Sequence, residues 1–358
     1  MTDPLLFKPE SLRAVVREIM PGFGSSEREC ELVADNLVRA NLTGHDSHGV
    51  GMLPRYARAF NEGGLQPNST IKISQDSGMM LGLDGQKGFG QAVGYEAMQL
   101  GLERVREHGV CIMALANAHH LGRIGEWAEM AVAAGFVSVH FVNVISRPIV
   151  APWGGSDARY GTNPFTVGIP LPSGQPFILD FATSVIAQGK TRVAYNKGVP
   201  LKPGQMLDNL GRPTTDPVYG VKSPPGALLP FGEHKGFGLA MACELLGGAL
   251  AGGMATNAPA DGKQRIINGM LTMLIDPARI ADMEVFEQQA RQTLEWITAS
   301  APQPGVDKVQ LAGDAERRMT AERTAKGIPV DPHTWEEILQ AAESLGVSTE
   351  QVKRHLAA

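Results

Sequence analysis

At 358 residues the chain is long for one domain and comfortable for two, with room for a large core and a cleft between units. Hydrophobic content of 43% and charged content of 19% describe an ordinary globular protein, and a formal net charge of -5 with dispersed Lys and Arg excludes nucleic acid as the main partner. Three scattered cysteines, none in a CxxC, provide neither a disulfide framework nor a structural zinc site.

The opening MTDPLLFKPESLRAVV carries an acid before its first base and no apolar stretch of signal-peptide kind. No apolar run is long enough to span a bilayer, so a cytoplasmic protein without a membrane partner is expected. The first seventy or so residues read as helical. Ser26 and Glu29 form a capping-box pattern ahead of Val33, Leu37 and Ala40 at helical spacing. The pattern breaks at Gly44, and LPRYARAF forms a second helical stretch that ends at Gly63-Gly64.

From about Met79 the character changes: MMLGLDG suggests a strand and turn, 91–108 a helix, and VCIMALAN a strand followed by a helix opening near Gly122. FVSVHFVNV, FILDFATS and MLTMLIDP read as strands. Leu239, Cys243, Leu246 and Leu250 mark a helix closed by Gly252-Gly253. The stretch 199–230, rich in proline, reads as a long irregular excursion of the kind used for lids or interface arms. The tail from Asp282 is helical, with a stripe of Phe286, Ala290 and Leu294 and a Thr334–Glu337 cap after Pro332. The expected class is α/β (α+β), with a helical unit made of 1–75 and 280–358 and an α/β unit over 76–279.

No GxGxxG follows a strand, and GQKGFGQ near Gly88 has the wrong glycine spacing; Walker A and GxSxG motifs are absent as well. The histidines are more informative. Five of nine fall in three glycine-flanked segments: His45 and His48 in GHDSHGVG, His119 and His120 in NAHHLGRIG, and His234 in GEHKGFG. Ser47 beside His48 could relay a proton, or could be a plain cap before a loop histidine. Gly122 and Arg123 could receive an anion at a helix start, or form an ordinary strand-to-helix connection. Lys235 at a helix start is electrostatically unfavourable unless it meets an anion. Thr162 and Asn163 offer donors after a turn, and Asp180 could orient a histidine or cap the next helix.

Taken together, NLVRANLTGHDSHGVGMLPRY, HHLGRIGEWAEMA, APWGGSDARYGTNPF, ILDFATS with GKTRVA, and GEHKGFGLA resemble the type 2 malate/L-lactate dehydrogenase family, in order and along nearly the whole chain. Within it the likeness is greatest to the hydroxycarboxylate dehydrogenase branch. The resemblance implies a non-Rossmann fold with a mixed, largely antiparallel sheet and a helical domain from both chain ends. It implies NAD or NADP as cofactor, with NADH slightly favoured, a small 2-oxo or 2-hydroxy acid as substrate, and a homodimer. His120 matches the family's general acid/base, and Ser47 with His48 its serine-histidine pair. His48, Gly122, Arg123, Ile124, Ile178, Leu179, Asp180, Phe181, Ala182, His234, Lys235, Asn268, Gly313 and Asp314 match cofactor contacts.

Two departures stand out. Many members have a substrate-gripping arginine where this chain has Met52, so carboxylate recognition is expected from Arg55, Arg123 or Arg147, with Thr162 and Asn163 nearby. Lys190 stands where some members have an acid, which weakens a three-residue relay. Two other readings remain open from the residues alone. One is a metal-dependent hydrolase using His45, His48 and His120 with Asp46 or Asp180. The other is a non-catalytic nucleotide-binding protein of the same fold.

Overall fold

The computed structural model describes residues 4–171, 174–257, 262–263 and 265–356. The described residues open with a short strand, β1 (Leu5–Phe7), rather than helix, and pair it with Ile328–Val330. Helices α1 (Pro9–Ile19), α2 (Glu27–Leu42) and α3 (Leu53–Asn61) follow. α1 has Pro9 in its first turn, where a missing N–H costs nothing, and buries Leu12, Val15, Val16 and Ile19 on one stripe. Ser26 caps α2, accepting from the Glu29 amide at 3.4 Å. The reciprocal half of the expected capping box is replaced: Ser26 N–H goes to Asn68, and the Glu29 carboxylate accepts from the Asn68 amide.

The central part contains β2 (Lys72–Asp76), β3 (Met80–Asp84), α4 (Gly90–His108), β4 (Val110–His119), α5 (Gly125–Ala133), β5 (Val137–Ile145), β6 (Phe165–Ile169), β7 (Phe177–Phe181) and α6 (Gln188–Lys197). After β8 (Met206–Leu207), β9 (Pro213–Thr214), α7 (Val218–Val221) and β10 (Ala227–Leu228) come α8 (His234–Cys243) and β11 (Ile267–Ile275). The tail holds α9 (Met283–Thr298), α10 (Asp314–Lys326), β12 (Ile328–Val330), α11 (Pro332–Ser344) and α12 (Thr349–Lys353). The main sheet has seven strands in the order β2-β3-β4-β11-β5-β6-β7. Its neighbours run antiparallel except β3 and β4, which are parallel, so the fold is the mixed, non-Rossmann α/β arrangement that the sequence suggested. Among the described residues no helix is long and apolar enough to cross a membrane.

One expectation is refined and three need correction. The excursion over 199–230 is largely turn and coil, as expected, but it also carries a small three-stranded sheet of two-residue strands, β10-β8-β9, in which the one proline stands on an edge strand. The helix through Leu239 and Cys243 does not keep one apolar stripe to Leu250. Its last seven residues, Glu244–Leu250, widen into a π-helix, so Cys243 is fully buried while Leu250 is 65% exposed. Gly247 permits this, because any Cβ there would collide with the Phe141 carbonyl of β5. α11 is capped by Asp331, which accepts from the Thr334 amide at 2.9 Å, and not by Thr334. The stripe of α9 covers no core, since none of its side chains is buried and Trp296 is 82% exposed.

Two main cores result. One joins both chain ends, packing Leu12, Ile19, Leu37 and Tyr56 with Ile328, Trp335 and Ile338. The other fills the space between α4, α5 and the sheet with Leu83, Val93, Met98, Leu115, Trp127 and Met270. Each such buried large side chain contributes about 1.5–3 kcal/mol. The start of α4 belongs to both, because Phe89 and Ala92 lie in the first core and Val93 in the second. Close approach is what allows this. A Cβ at Gly90 would overlap the main-chain carbonyls of His119 and His120 at the end of β4. Gly90→Ala is expected to destabilise the protein by about 3 kcal/mol, because backbone rather than a flexible side chain must give way. Urea denaturation of the two proteins measures this; equal midpoints and slopes would show that α4 can retreat freely.

Candidate active site

Ser47 and His48 lie in a tight turn, Asp46–His48, just after α2. Asn41 ties this turn down: its Oδ1 accepts from the Val50 amide at 2.9 Å, and its Nδ2 donates to Asp46 at 2.6 Å. Gly49 is required beside it, because a Cβ would overlap the Asn41 side chain. From the other end of the chain, Arg323 of α10 grips Asp46 with both terminal nitrogens, at 2.6 and 2.9 Å. Ser47, left exposed, forms a 3.0 Å hydrogen bond with His48 Nδ1 and faces Gly189 of α6.

His120 follows β4 directly. The rings of His48 and His120 stack, with centroids 5.5 Å apart and planes 18° from parallel. His120 Nδ1 lies 2.7 Å from the buried hydroxyl of Tyr56, and Gln91 Nε2 donates to the same hydroxyl at 2.8 Å. Nε2 of both histidines remains without a protein partner among the described residues. Burial, and then the charge of His45, pushes the His48 pKa down to about 4. Burial first and His48 second hold His120 well below the usual imidazole value. His119 lies T-shaped against Tyr56, and burial pushes it to about 3.

Arg123 and Asp180 flank this pair. Arg123 is buried and lies 2.6 Å from Glu129. Burial would lower its pKa, but Glu129 and Asp180 outweigh that and hold it above the ordinary value. Asp180 does cap a helix, though an earlier one in the chain than expected. Its Oδ2 accepts from the Gly125 amide at the start of α5 at 2.8 Å, and its Oδ1 from Thr166 at 2.7 Å. The helix start anticipated near Gly122 is thus shifted to Gly125, and its first N–H is occupied by Asp180. Gly122 has a φ of 75° and packs on Asn36 of α2, while Ile124 is the buried residue preceding α5.

The other candidates divide. Ile178, Leu179 and Phe181 lie on β7 with Asp180, and Ala182 follows it; Phe181 packs edge-on against Phe231, 5.3 Å away. His234 and Lys235 are exposed at the start of α8, and Lys235 has no ion pair among the described residues. Arg55 is accessible on α3. Partial desolvation first, then Arg192 and Arg58, lower its pKa. Arg147 is exposed beside Asp157 and Asp208, within electrostatic reach of Arg55. Met52 lies in the helical core, 5% exposed.

Asn163 and Asn268 hold backbone together. Asn163 Oδ1 accepts from the Val144 amide, and its Nδ2 donates to Glu244. Asn268 accepts from Leu121 N and donates to Asn143 O. The Thr162 carbonyl receives the Thr183 amide at 2.9 Å. Gly313 precedes α10, where Asp314 accepts from the Leu311 amide and Arg317. Tyr56 and Gln91 were missed by sequence reasoning, since Tyr56 is one more apolar position of a helix and its partner is 64 residues away. His45 is taken by Glu316 at 3.2 Å, and among the described residues no three His, Cys, Asp or Glu are grouped to hold a metal. Nothing favours the hydrolase or the non-catalytic reading.

The malate/L-lactate dehydrogenase family model matches residues 7–339. The chain belongs to this family. It is 45% identical over 349 residues to hydroxycarboxylate dehydrogenase B of Escherichia coli (strain K12), covering 97% of this chain and 96% of that one. It is 39% identical over 341 residues to an L-lactate dehydrogenase of Cupriavidus necator, with 94% and 97% covered. A solved E. coli structure assigned to the malate/lactate dehydrogenases superimposes with a TM-score of 0.94 at 44% identity, over 99% of this chain and 100% of that one. The chain is therefore an oxidoreductase of 2-hydroxy and 2-oxo acids, and membership implies a nicotinamide cofactor.

The buried histidines of this dehydrogenase set an acid limit on its stability. His119 and His140 are neutral in the fold, at about 3 and about 4, against an ordinary 6.5. The unfolded chain therefore binds more protons below pH 6.5, and stability falls as pH drops from there towards 4. Glu126, pushed up to about 7 chiefly by burial, works in the opposite sense below neutrality but is one group against several. Each fully buried histidine is expected to cost about 2 kcal/mol between pH 7.5 and 5. Urea denaturation at both pH values tests this, and His140→Gln should shrink the loss. An unchanged loss in that variant would assign the acid sensitivity elsewhere.

Proposed function

We propose that this dehydrogenase uses His48 and His120 as its proton-handling pair and Arg55 as the partner of the substrate carboxylate, with NADH as reductant. A bound nicotinamide supplies a hydride to the carbonyl carbon of the 2-oxo acid. Negative charge then grows on the carbonyl oxygen, and one imidazole supplies the proton while the other polarises the carbonyl or relays. Such help is worth roughly a hundred- to ten-thousand-fold in rate. Ser47 steadies His48, and Arg55 fixes which face of the carbonyl is attacked. Lys235 and His234, cations or donors at a helix start with no ion pair among the described residues, suit the pyrophosphate of the cofactor. Arg123, Asp180 and the turn at Gly122 would line the cofactor side, with Ile178, Leu179, Phe181 and Ala182 as apolar contacts and Gly313 and Asp314 as a late one.

The observation that carries this reading is the stacked histidine pair, each ring held through Nδ1 and each Nε2 left available. A helical unit of 1–75 and 280–358 is supported by the core shared between chain ends. A homodimer in the cytoplasm is the companion reading, and the uncovered side chains of α9 support its dimeric part. His120→Ala is expected to keep cofactor binding, read by nicotinamide fluorescence, while turnover drops at least about a hundredfold. The assay is a spectrophotometric screen of pyruvate, oxaloacetate, 2-oxoglutarate and phenylpyruvate with NADH and NADPH. Near-normal turnover of the variant would remove His120 from the chemistry, and faster rates with NADPH would reverse the cofactor assignment.

A further inference from the structure

The two imidazoles of the site are not held in the same way, and the difference lies in what their Nδ1 partners can do. His48 Nδ1 meets the hydroxyl of Ser47, an exposed side chain whose O–H can turn to donate or to accept. His120 Nδ1 meets the hydroxyl of Tyr56, which is fully buried. That hydroxyl already receives a hydrogen bond from Gln91 Nε2, itself buried. An amide N–H can only donate, so Gln91 occupies a lone pair of the tyrosine oxygen and leaves the tyrosine proton to be placed. Among the described residues, the one further partner within hydrogen-bond distance of that oxygen is His120 Nδ1. A buried O–H without an acceptor costs about 1–3 kcal/mol, so the proton is directed to Nδ1.

We infer that Tyr56, oriented by Gln91, is a positioning residue that fixes His120 as the tautomer carrying its proton on Nε2. The inference rests on the reading of His48 and His120 as the proton-handling pair and divides their labour. A neutral His120 with Nε2–H is a fixed hydrogen-bond donor, suited to polarise a carbonyl and to hold the alkoxide as it forms. It has no lone pair on Nε2 with which to take a proton from a hydroxy acid. That task falls to His48, whose Nε2 gains a lone pair when Nδ1–H points at a serine oxygen turned to accept. In reduction the protonated His48 ring gives up Nε2–H to the alkoxide oxygen. The N–H bond electrons stay on the ring, which becomes neutral, and oxidation reverses the step. Burial and the adjacent rings keep His120 neutral, in line with this role.

Nitrogen-15 NMR of histidine-labelled protein without substrate reads the tautomer, with His120→Gln used only to assign the signal. The expected spectrum has His120 protonated at Nε2, bare at Nδ1 and unchanged between pH 5.5 and 8. Tyr56→Phe should then show both tautomers. Its kcat should fall roughly tenfold with KM within about twofold, because Tyr56 does not reach the substrate. A merely structural tyrosine would leave the tautomer as it was. If the phenylalanine variant fails to fold, Gln91→Met releases the tyrosine hydroxyl and should mix the tautomers instead. A His120 protonated at Nδ1 in the intact protein, or charged at neutral pH, overturns the inference. So does a Tyr56→Phe protein with an unmixed tautomer and full kcat. Failure of the parent reading looks different: the His120→Ala protein would turn over 2-oxo acids at a near-normal rate, whatever the tautomer of the intact protein.

Discussion

The 2.7 Å hydrogen bond between Tyr56 and His120 is the point on which the site depends, because its two ends are held by different parts of the fold. Tyr56 is fixed by the helices that both chain ends build, and His120 by the last residues of β4 in the sheet. The bond forms only because α4 starts close against the His119 and His120 carbonyls, and that approach needs glycine at position 90. Gln91, the next residue, is thereby delivered to the Tyr56 hydroxyl. A packing requirement and a chemical one are thus met by adjacent residues of one helix turn.

The sheet contributes through its register. Asp180 on β7 stands opposite Thr166 on β6, Thr166 opposite His140 on β5, and His140 opposite Thr272 on β11. Thr166, His140 and Thr272 are fully buried and Asp180 half-buried, in a row where sheets of this kind bury aliphatic side chains. Two of its links are hydrogen bonds, Thr166 to Asp180 at 2.7 Å and His140 with Thr272 at 3.0 Å. Gly168, two residues after Thr166, admits Ala128 and Val132 of α5 on the same face. Asp180 is therefore held from behind by the sheet and from the front by the α5 amide. A one-residue slip of β7 would send its carboxylate to the opposite face.

What could be read from the sequence follows from how local each signal is. Strong alternation and apolar helix stripes revealed β3, β4, β5, β7, β11 and α4, because each buries a face that its own residues define. β2 gave no such signal, since KISQD is exposed throughout and is a strand only by virtue of its pairing with β3. β6 and α6 were short and weakly patterned, and the π-helix after Cys243 depends on glycines meeting β5 rather than on apolar spacing. The glycine-flanked histidines could be picked out as a set, but their stacking could not, because it is fixed by contacts between distant segments. Asn163 and Asn268 illustrate the converse: polar residues near glycines whose every contact proves to be with backbone or a buried neighbour.

The electrostatics of the free protein pose a question that the substrate's own charge answers. Burial first, and neighbouring imidazoles second, hold both rings of the histidine pair neutral, with Arg55 acting on both and Arg123 on His48 in the same direction and Asp180 opposing them at His48. A proton donor that is neutral at working pH has nothing to give. A 2-oxo acid, however, brings a carboxylate. At about 5 Å and an effective dielectric near 20, that charge is worth about 3 kcal/mol to a protonated imidazole, a gain of roughly a hundredfold or more in proton affinity. With Arg55 in the carboxylate-binding role proposed for it, the same charge would compensate a guanidinium that is partly desolvated and has arginine neighbours. On this reading the anion and the catalytic proton are taken up together. With His48 in the role proposed for it, the site would be armed only when the molecule to be reduced has arrived, and a neutral ketone of the same shape would leave His48 uncharged and the carbonyl oxygen without its proton.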